Sequence, residues 1–571
     1  MNKSIIHKYL FAIAFVLSGI SCSHDLIEVY DESGLDLAPF PDLVLYDGPV
    51  ATDSAEDIPD LSDRDTYWEA AGFDNHIVVT YSEEGASVEG APWVKKDIQG
   101  GDVCLDIGGN KGIEIVIRGC NDDGSLTIYG SKKFKLTFSG LDLRSSKGAV
   151  INIQCPKRVF AHLTEGTVNR IVDAPVYIKK ADEDMKGCFF AEGDIIFSGS
   201  GILLVEATGS NGIVSDDGIV IRPGITISST VSSMAGKAIK AKEILDVRGG
   251  ALFLGTSGDG YYDEVEMDDK SAVCLASDST IFLRGGRIEA HSTGIAGKGI
   301  KADGSIFIGA DDTPGPNILI STSGEKLIGE NYSSSPKGIK SGNRIEFRSG
   351  RLNIPECSSE GLESKNASPG SILISGGEIS IKAADDGINS AGGIQIEGGK
   401  VFVWSTGNDG IDSNFHGEGC FDLRGGLVLA LTSLERHDCG IDTDKAPLRI
   451  SGGTLFSCGR YQGAGPSAPK EETAIQPTAL VSKIDLVQDE FVAVYDSNMQ
   501  PIFAFLMPFS FTEDYSIITC PDFVVGSKYT VRTGGHTPTT GSSWNGYWEG
   551  GDPQCTTRVK TLDFSQKYLK R

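Results

Sequence analysis

Residues 381–414 read IKAADDGINSAGGIQIEGGKVFVWSTGNDGIDSN, with the triplet Asp-Gly-Ile at 386–388 and again at 409–411, 23 residues later. Between the triplets lie Gly pairs and short β-prone runs, Ile394-Gln395-Ile396 and Val401-Phe402-Val403. An acidic turn that returns at this interval, with strand-like runs between, predicts a structural repeat.

The same Gly-aliphatic turn occurs at Gly299-Ile300, Gly338-Ile339, Gly361-Leu362, Gly387-Ile388, Gly410-Ile411 and Gly440-Ile441, with Ala238-Ile239 as a variant. Successive spacings between the glycines are 39, 23, 26, 23 and 30 residues. A second marker is a Gly pair before a β run, at 249–250, 285–286, 376–377, 398–399, 425–426 and 452–453. From Gly361 onward the two markers alternate.

About three short strands per repeat, separated by Gly, Ser, Asn and Asp turns, suit an all-β parallel β-helix in which each repeat is one coil. Inward Ile, Val and Leu would stack in ladders, and Gly would supply corner conformations that other residues avoid. A β-propeller blade needs roughly 40 to 50 residues, too many for a 23-residue interval. A calcium-binding nonapeptide repeat fails because Gly and Asp do not recur at nine.

The 571 residues are ample for a large core, and 72 spaced glycines against 22 prolines exclude collagen and argue against low complexity. A formal charge of −27 argues against nucleic acid as a partner. At the N-terminus, Lys3 and Lys8 precede the apolar run 9–17, then Ser18-Gly19-Ile20-Ser21-Cys22. The run is too short to span a bilayer. Ser21-Cys22 resembles a bacterial lipobox, departing at Gly19, and makes Cys22 the lipidation candidate. An ordinary signal peptide cleaved near Ser21 is the alternative. The expectation is a lipid-anchored protein of the bacterial outer membrane or cell surface, touching the membrane through its lipid alone.

The domain reading is a signal peptide at 1–21, a tether or cap at 22–70 and a parallel β-helix at 71–461. A linker at 462–475 and a C-terminal β cap at 476–571 complete it. Cys420, Cys439 and Cys458, each 19 residues apart, suit repeat neighbours, as a disulfide or as buried thiols.

If the turns align, coils about 4.8 Å apart stack Glu360, Asp386 and Asp409 in one column. A second column would hold Lys240, Lys301, Lys340, Glu363, Asn389, Asp412 and Asp442, changing from basic to acidic along the axis. Stacked carboxylates repel unless protonated or bridged by a cation, and Ca²⁺ tolerates irregular oxygen ligands. Asp385, Asp386, Asp409 and Asp412 are therefore the metal candidates. The plainer explanation is that Asp favours such turns by bonding local backbone N–H groups. Lys240, Lys301 and Lys340 are either solvated or paired with neighbouring acids such as Glu363, or form a cationic strip for sugar carboxylates. Trp404 and the Trp544-Tyr547-Trp548 tail are aromatic candidates for sugar stacking or for a capping cluster.

Several of these stretches together resemble a known family. They are Ser215-Asp216-Asp217-Gly218-Ile219, Ala384-Asp385-Asp386-Gly387-Ile388-Asn389-Ser390, Asn408-Asp409-Gly410-Ile411-Asp412-Ser413 and Cys439-Gly440-Ile441-Asp442. Glu165-Gly166-Thr167-Val168-Asn169 and the stretch 521–531, PDFVVGSKYTV, match as well. The set, spanning about 75–535, resembles the carbohydrate-binding β-helix family, similar in fold to the pectate lyases. The resemblance implies a right-handed parallel β-helix that binds Ca²⁺ and an acidic polysaccharide such as polygalacturonate; cleavage is not implied. The stretch 259–278 looks like an insertion, and Cys439 stands where other turns carry Asp or Asn.

Three functions are consistent with this reading. The first is a surface carbohydrate-binding lipoprotein whose calcium bridges the four aspartates and sugar carboxylates. The second is a calcium-dependent polysaccharide lyase with Lys340 as base. The third is a structural or adhesive β-solenoid.

Overall fold

The computed structural model describes residues 66–571 apart from 182, 434–437, 445, 461–466 and 513–514. The signal segment, Cys22 and the tether up to residue 65 lie outside the described residues. The protein is all-β: a 3-10 turn at Trp68–Ala70 is the sole helical element among the described residues. None of them forms a helix long and apolar enough to cross a membrane.

The chain divides into two compact units. One comprises the described residues up to Glu206 with Val220–Ser228; the other comprises Ala207–Ile219 with Ser229–Arg571.

In the first unit, strands Asn75–Ser82, Ile113–Asn121 and Phe134–Arg144 pair in parallel, with Ile77, Ile115 and Leu136 in register. A second parallel series joins Gly101–Gly108, Gly124–Gly130, Ile151–Gln154 and Gly187–Ala191. Gly101–Gly108 alternates buried and half-buried residues along its whole length, the period-two pattern of a strand with one face in a core. The entry to this unit is clamped. The Arg222 guanidinium, 1% exposed, donates to both Glu69 oxygens at 3.0 Å and lies 4.1 Å from the Tyr67 ring centre. In the Glu165–Asn169 turn, buried Asn169 accepts from the Gly140 and Leu141 amides and donates to the Ile202 carbonyl, closing that corner.

The second unit carries the repeat. One coil consists of Glu360–Ser364, Ile372–Ile374 and Glu378–Ala383, and the next of Ile388–Ser390, Ile394–Ile396 and Lys400–Ser405. Each strand pairs in parallel with its counterpart one coil later, a solenoid-like stacking. Leu362, Ile388, Ile411 and Ile441 share one rung position. Ile372, Ile394 and Phe421 share another, and Ile379, Val401, Val428 and Leu455 a third. All of these side chains are buried. The aliphatic ladders are the core, each rung removing a branched side chain from water, worth about 1.5–3 kcal/mol.

The two glycine markers have different physical reasons. The second Gly of each pair, Gly377, Gly399, Gly426 and Gly453, has a positive φ of 71–83°, which L side chains rarely adopt. Gly387 and Gly410, in the Asp-Gly-Ile turns, have ordinary φ. What they need is room: a Cβ on Gly387 would lie 1.9 Å from Val403 Cγ1 and 2.7 Å from the Gly410 carbonyl oxygen.

Residues 467–475 contain the strand Pro469–Ala474, which pairs in parallel with Leu448–Ile450. The third strand of the last coil, Thr454–Gly459, is covered by Tyr515–Thr519 in antiparallel pairing, so its edge is not open to another chain. A six-stranded antiparallel sheet follows, with Phe503 and Phe505 packed in one buried cluster with Leu429, Leu431 and Phe456 of the coils. The eleven described cysteines are all free thiols, so the 19-residue spacing of Cys420, Cys439 and Cys458 reflects repeat position.

Candidate functional site

The turn strands of the second unit stack in one ladder, and its register sets the chemistry of the face. Ile239, Leu275, Ile300, Ile339, Leu362, Ile388, Ile411 and Ile441 align and point inward. The next residue of each strand forms an outer column: Lys240, Ala276, Lys301, Lys340, Glu363, Asn389, Asp412 and Asp442. The column foreseen from sequence is therefore present, interrupted by Ala276 in an additional coil.

Two residues before the aligned aliphatic lies a second column. Its acidic part, Glu360, Asp386 and Asp409, continues in the other direction as Lys337, Lys298, Val273 and Lys237. These three lysines were not singled out as site candidates. The signal was legible, because Lys298-Gly299-Ile300 and Lys337-Gly338-Ile339 place Lys where the later coils place Asp. Two adjacent columns thus change together from lysine to carboxylate.

The boundary is neutralised internally. Glu363, 3% exposed, accepts from Lys337 at 2.9 Å and Lys365 at 2.8 Å, with Lys340 at 3.9 Å, and Lys337 also pairs with Glu360. Farther along, Lys240 pairs with Asp278 at 2.9 Å and Lys301 with Asp303 at 3.1 Å. Burial lowers the Lys340 pKa despite the neighbouring Glu363.

At the acidic end, ligand oxygens of Asp409, Asp412 and Asp442 lie within 4.8 Å of one another. Asp386 accepts from the Asp409 amide at 3.1 Å and from Asn389 Nδ2 at 2.7 Å. Asp409 accepts from the Cys439 amide at 2.5 Å, and Asp412 from Asn414 Nδ2 at 2.7 Å. Asp442 accepts from the Thr443 amide at 2.7 Å and from Ser467 Oγ at 2.8 Å. In the triplet, these bonds engage one oxygen of each carboxylate and leave the other.

Burial is the main cause of the perturbed acidities here. Together with neighbouring carboxylates it pushes Asp386 up to about 7, Asp409 up to about 9 and Asp412 up to about 6. Burial and clustered like charge are the means by which functional sites shift carboxylate pKa values, and structural networks use them too. Three hard oxygen donors fit Ca²⁺ or another hard divalent cation better than zinc, for which no His or Cys joins the described group.

Asp385 is placed otherwise. Its carboxylate pairs with Lys326 at 2.6 Å and accepts from Asn408 Nδ2 at 3.1 Å. Burial raises its pKa, but these partners outweigh that and hold it below the ordinary value. The structure thus groups Asp409 and Asp412 with Asp442, sets Asp386 beside them through Asn389, and gives Asp385 a cationic partner from outside the ladder.

Trp404 is half-buried. Its ring stacks on Phe509 at 5.3 Å, Lys382 Nζ lies 4.4 Å from its ring centre, and its Nε1 donates to Ser433. Trp544 and Tyr547 flank the tight Asn545-Gly546 turn and pack on the cluster that joins the C-terminal sheet to the coils.

The sequence as a whole places the chain. A family model described as carbohydrate-binding domain-containing protein matches residues 106–369 and 367–464, well over half of the chain. The protein belongs to this family of carbohydrate-binding domain-containing proteins. A carbohydrate-binding domain-containing protein of Acetivibrio thermocellus is 30% identical over 113 residues, 19% of this chain; the match spans 40% of the relative's own length. Among solved structures, a polysaccharide lyase-like protein from C. thermocellum, determined as a gadolinium derivative, aligns with 18% identity and a TM-score of 0.34. That alignment covers 46% of this chain and 96% of the other.

Proposed function

We propose that the protein binds an acidic polysaccharide such as polygalacturonate along the turn ladder, and that the coils form a right-handed parallel β-helix. The observation that carries this reading is the pair of adjacent columns along the turn ladder, lysine at one end and carboxylate at the other. A polymer carrying a carboxylate on every sugar would compete with Asp303 for Lys301 and with Glu363 for Lys340. At the acidic end it needs a bridging cation. Asp409, Asp412 and Asp442 would hold Ca²⁺ there, with Asp386 alongside; the ion would supply the local positive field that the −27 chain lacks. Cys22 would carry a lipid that anchors the protein at the cell surface.

The ladder spacing argues against the lyase reading. Lys340 and Asp412 are separated by the rungs of Glu363 and Asn389, a path of about 14 Å at ~4.8 Å per rung. A base and a metal acting on one uronate must lie within a single sugar of each other. Affinity electrophoresis of the protein through polygalacturonate, with calcium and with EDTA, tests the binding. Retardation is expected with calcium and a smaller effect after chelation; migration unaffected by any acidic glycan in either condition would end this reading.

A further inference from the structure

Two hairpins interrupt the repeat beside the lysine columns. The first, Tyr261–Asp263 paired with Asp268–Lys270, falls in the stretch expected to be an insertion; the second pairs Leu327–Ile328 with Ser333–Ser334. Their rings meet face to face, Tyr262 on Tyr332 with centres 4.0 Å apart and planes parallel. The hairpins also meet through hydrogen bonds: Ser334 Oγ donates to Asp269 Oδ2 at 2.5 Å.

Beneath them lies Lys298, 1% exposed. Its ammonium donates to Ser271 Oγ at 2.9 Å, the Ala296 carbonyl at 2.8 Å and Ser334 Oγ at 3.3 Å. All three acceptors are neutral, two of them hydroxyls at the hairpin bases. Burial, with the Lys340, Lys301 and Lys337 charges, pushes this ammonium down to about 7. A buried lysine with hydroxyls where a counter-ion belongs is costly in its charged form unless an anion can reach it. Asp269 is the nearby anion: burial raises its pKa, but the Ser334 hydroxyl and the charges of Lys298, Lys340 and Lys301 together hold it low.

The hairpin tips bury little. Val265 is 93% exposed and Met267 and Ile328 are each 71% exposed, so opening the pair would cost chiefly the tyrosine stack and the Ser334 bonds. We propose that the two hairpins form a lid over a carboxylate-binding pocket made by Lys298, Lys301 and Lys340, and that Asp269 stands in for the uronate carboxylate until ligand displaces it. This rests on the acidic-polysaccharide reading and adds to it a specific pocket, a resident competitor and a moving part. Removing the Asp269 charge takes away the competitor, so affinity rises. Removing the Tyr262 ring loosens the lid, so Lys298 becomes reachable.

The experiment uses the full chain and trigalacturonate. Titration calorimetry compares wild type with Asp269→Asn, and mass spectrometry follows acetylation of Lys298 in wild type and Tyr262→Ala. Expected are about tenfold tighter binding by Asp269→Asn, and Lys298 protected in wild type but acetylated at least tenfold faster in Tyr262→Ala. Binding by wild type that Asp269→Asn leaves unchanged or weakens would overturn the lid while sparing the polysaccharide reading. Equal protection of Lys298 in wild type and Tyr262→Ala would overturn it too. If neither wild type nor variant binds, the polysaccharide reading fails and the pocket's assigned ligand fails with it.

Discussion

Asp386 accepts the backbone N–H of Asp409, 3.1 Å away across one rung of the ladder. Asp409 does the same for Cys439 one rung farther on. Asp386 and Asp409 therefore have a structural role, each capping the next corner, and a chemical one, because the caps leave carboxylate oxygens in a desolvated cluster of like groups. The two roles separate under mutation.

Asp386→Ala strands a buried amide and is expected to destabilise the protein by about 1–2 kcal/mol. Asp386→Asn keeps an acceptor for the Asp409 amide but turns an NH2 toward Asn389 Nδ2, so in chelator it should lose less stability than Asp386→Ala. Urea unfolding of the two variants in EDTA distinguishes these outcomes.

The pH dependence has a defined sign. Unfolded aspartates titrate near 3.9, whereas Asp412, Asp386 and Asp409 titrate at about 6, 7 and 9 in the fold. Between those values the folded state binds more protons than the unfolded one. The associated stability is complete below about pH 4 and is lost as pH rises through 6 to 9. In EDTA the thermal midpoint should fall from pH 5 to pH 9, less steeply in Asp409→Asn. Calcium should raise the midpoint more at pH 8 than at pH 5, because at low pH protons compete for the same oxygens.

The corner glycines should respond according to their different roles. Gly387→Ala forces a Cβ against Val403 and the Gly410 carbonyl, and loss of roughly 3 kcal/mol or more is expected. Gly370, at positive φ (65°) with only the Gln395 side-chain oxygen, 3.9 Å away, near where a Cβ would sit, should lose only about 1 kcal/mol as Ala. Denaturant midpoints for both variants measure the difference.

At the start of the first unit, Glu69→Ala removes the fork partner of buried Arg222. The expected cost is on the order of 2 kcal/mol. The same variant should open residues 66–73 to limited proteolysis earlier than wild type. Equal cleavage rates would show that the clamp does not hold this segment.

Much of the fold was legible because one aliphatic position recurs: Ile388 and Ile411, 23 residues apart, are paired rungs, and Asp412 and Asp442 fall in one column as the spacing required. What spacing could not show came from outside the repeat. Lys326 reaches Asp385 from 59 residues away, and Phe509 covers Trp404 from the C-terminal region. The need for Gly387 does not lie in its backbone conformation but in Val403, a side chain of the third strand of the coil that Gly387 opens. The lysines before the turn glycine fill the position where later coils carry acids, so the acidic spacing alone does not reveal them.

On the proposed reading, the acidic end of the ladder holds a divalent cation that joins protein to polysaccharide. Calorimetric titration of polygalacturonate oligomers into wild type and Asp409→Asn/Asp412→Asn, each with calcium and with EDTA, tests it most directly. Calcium-dependent binding by wild type is expected, weakened at least tenfold by chelation or by the double substitution. Binding of equal strength in all four conditions would contradict it.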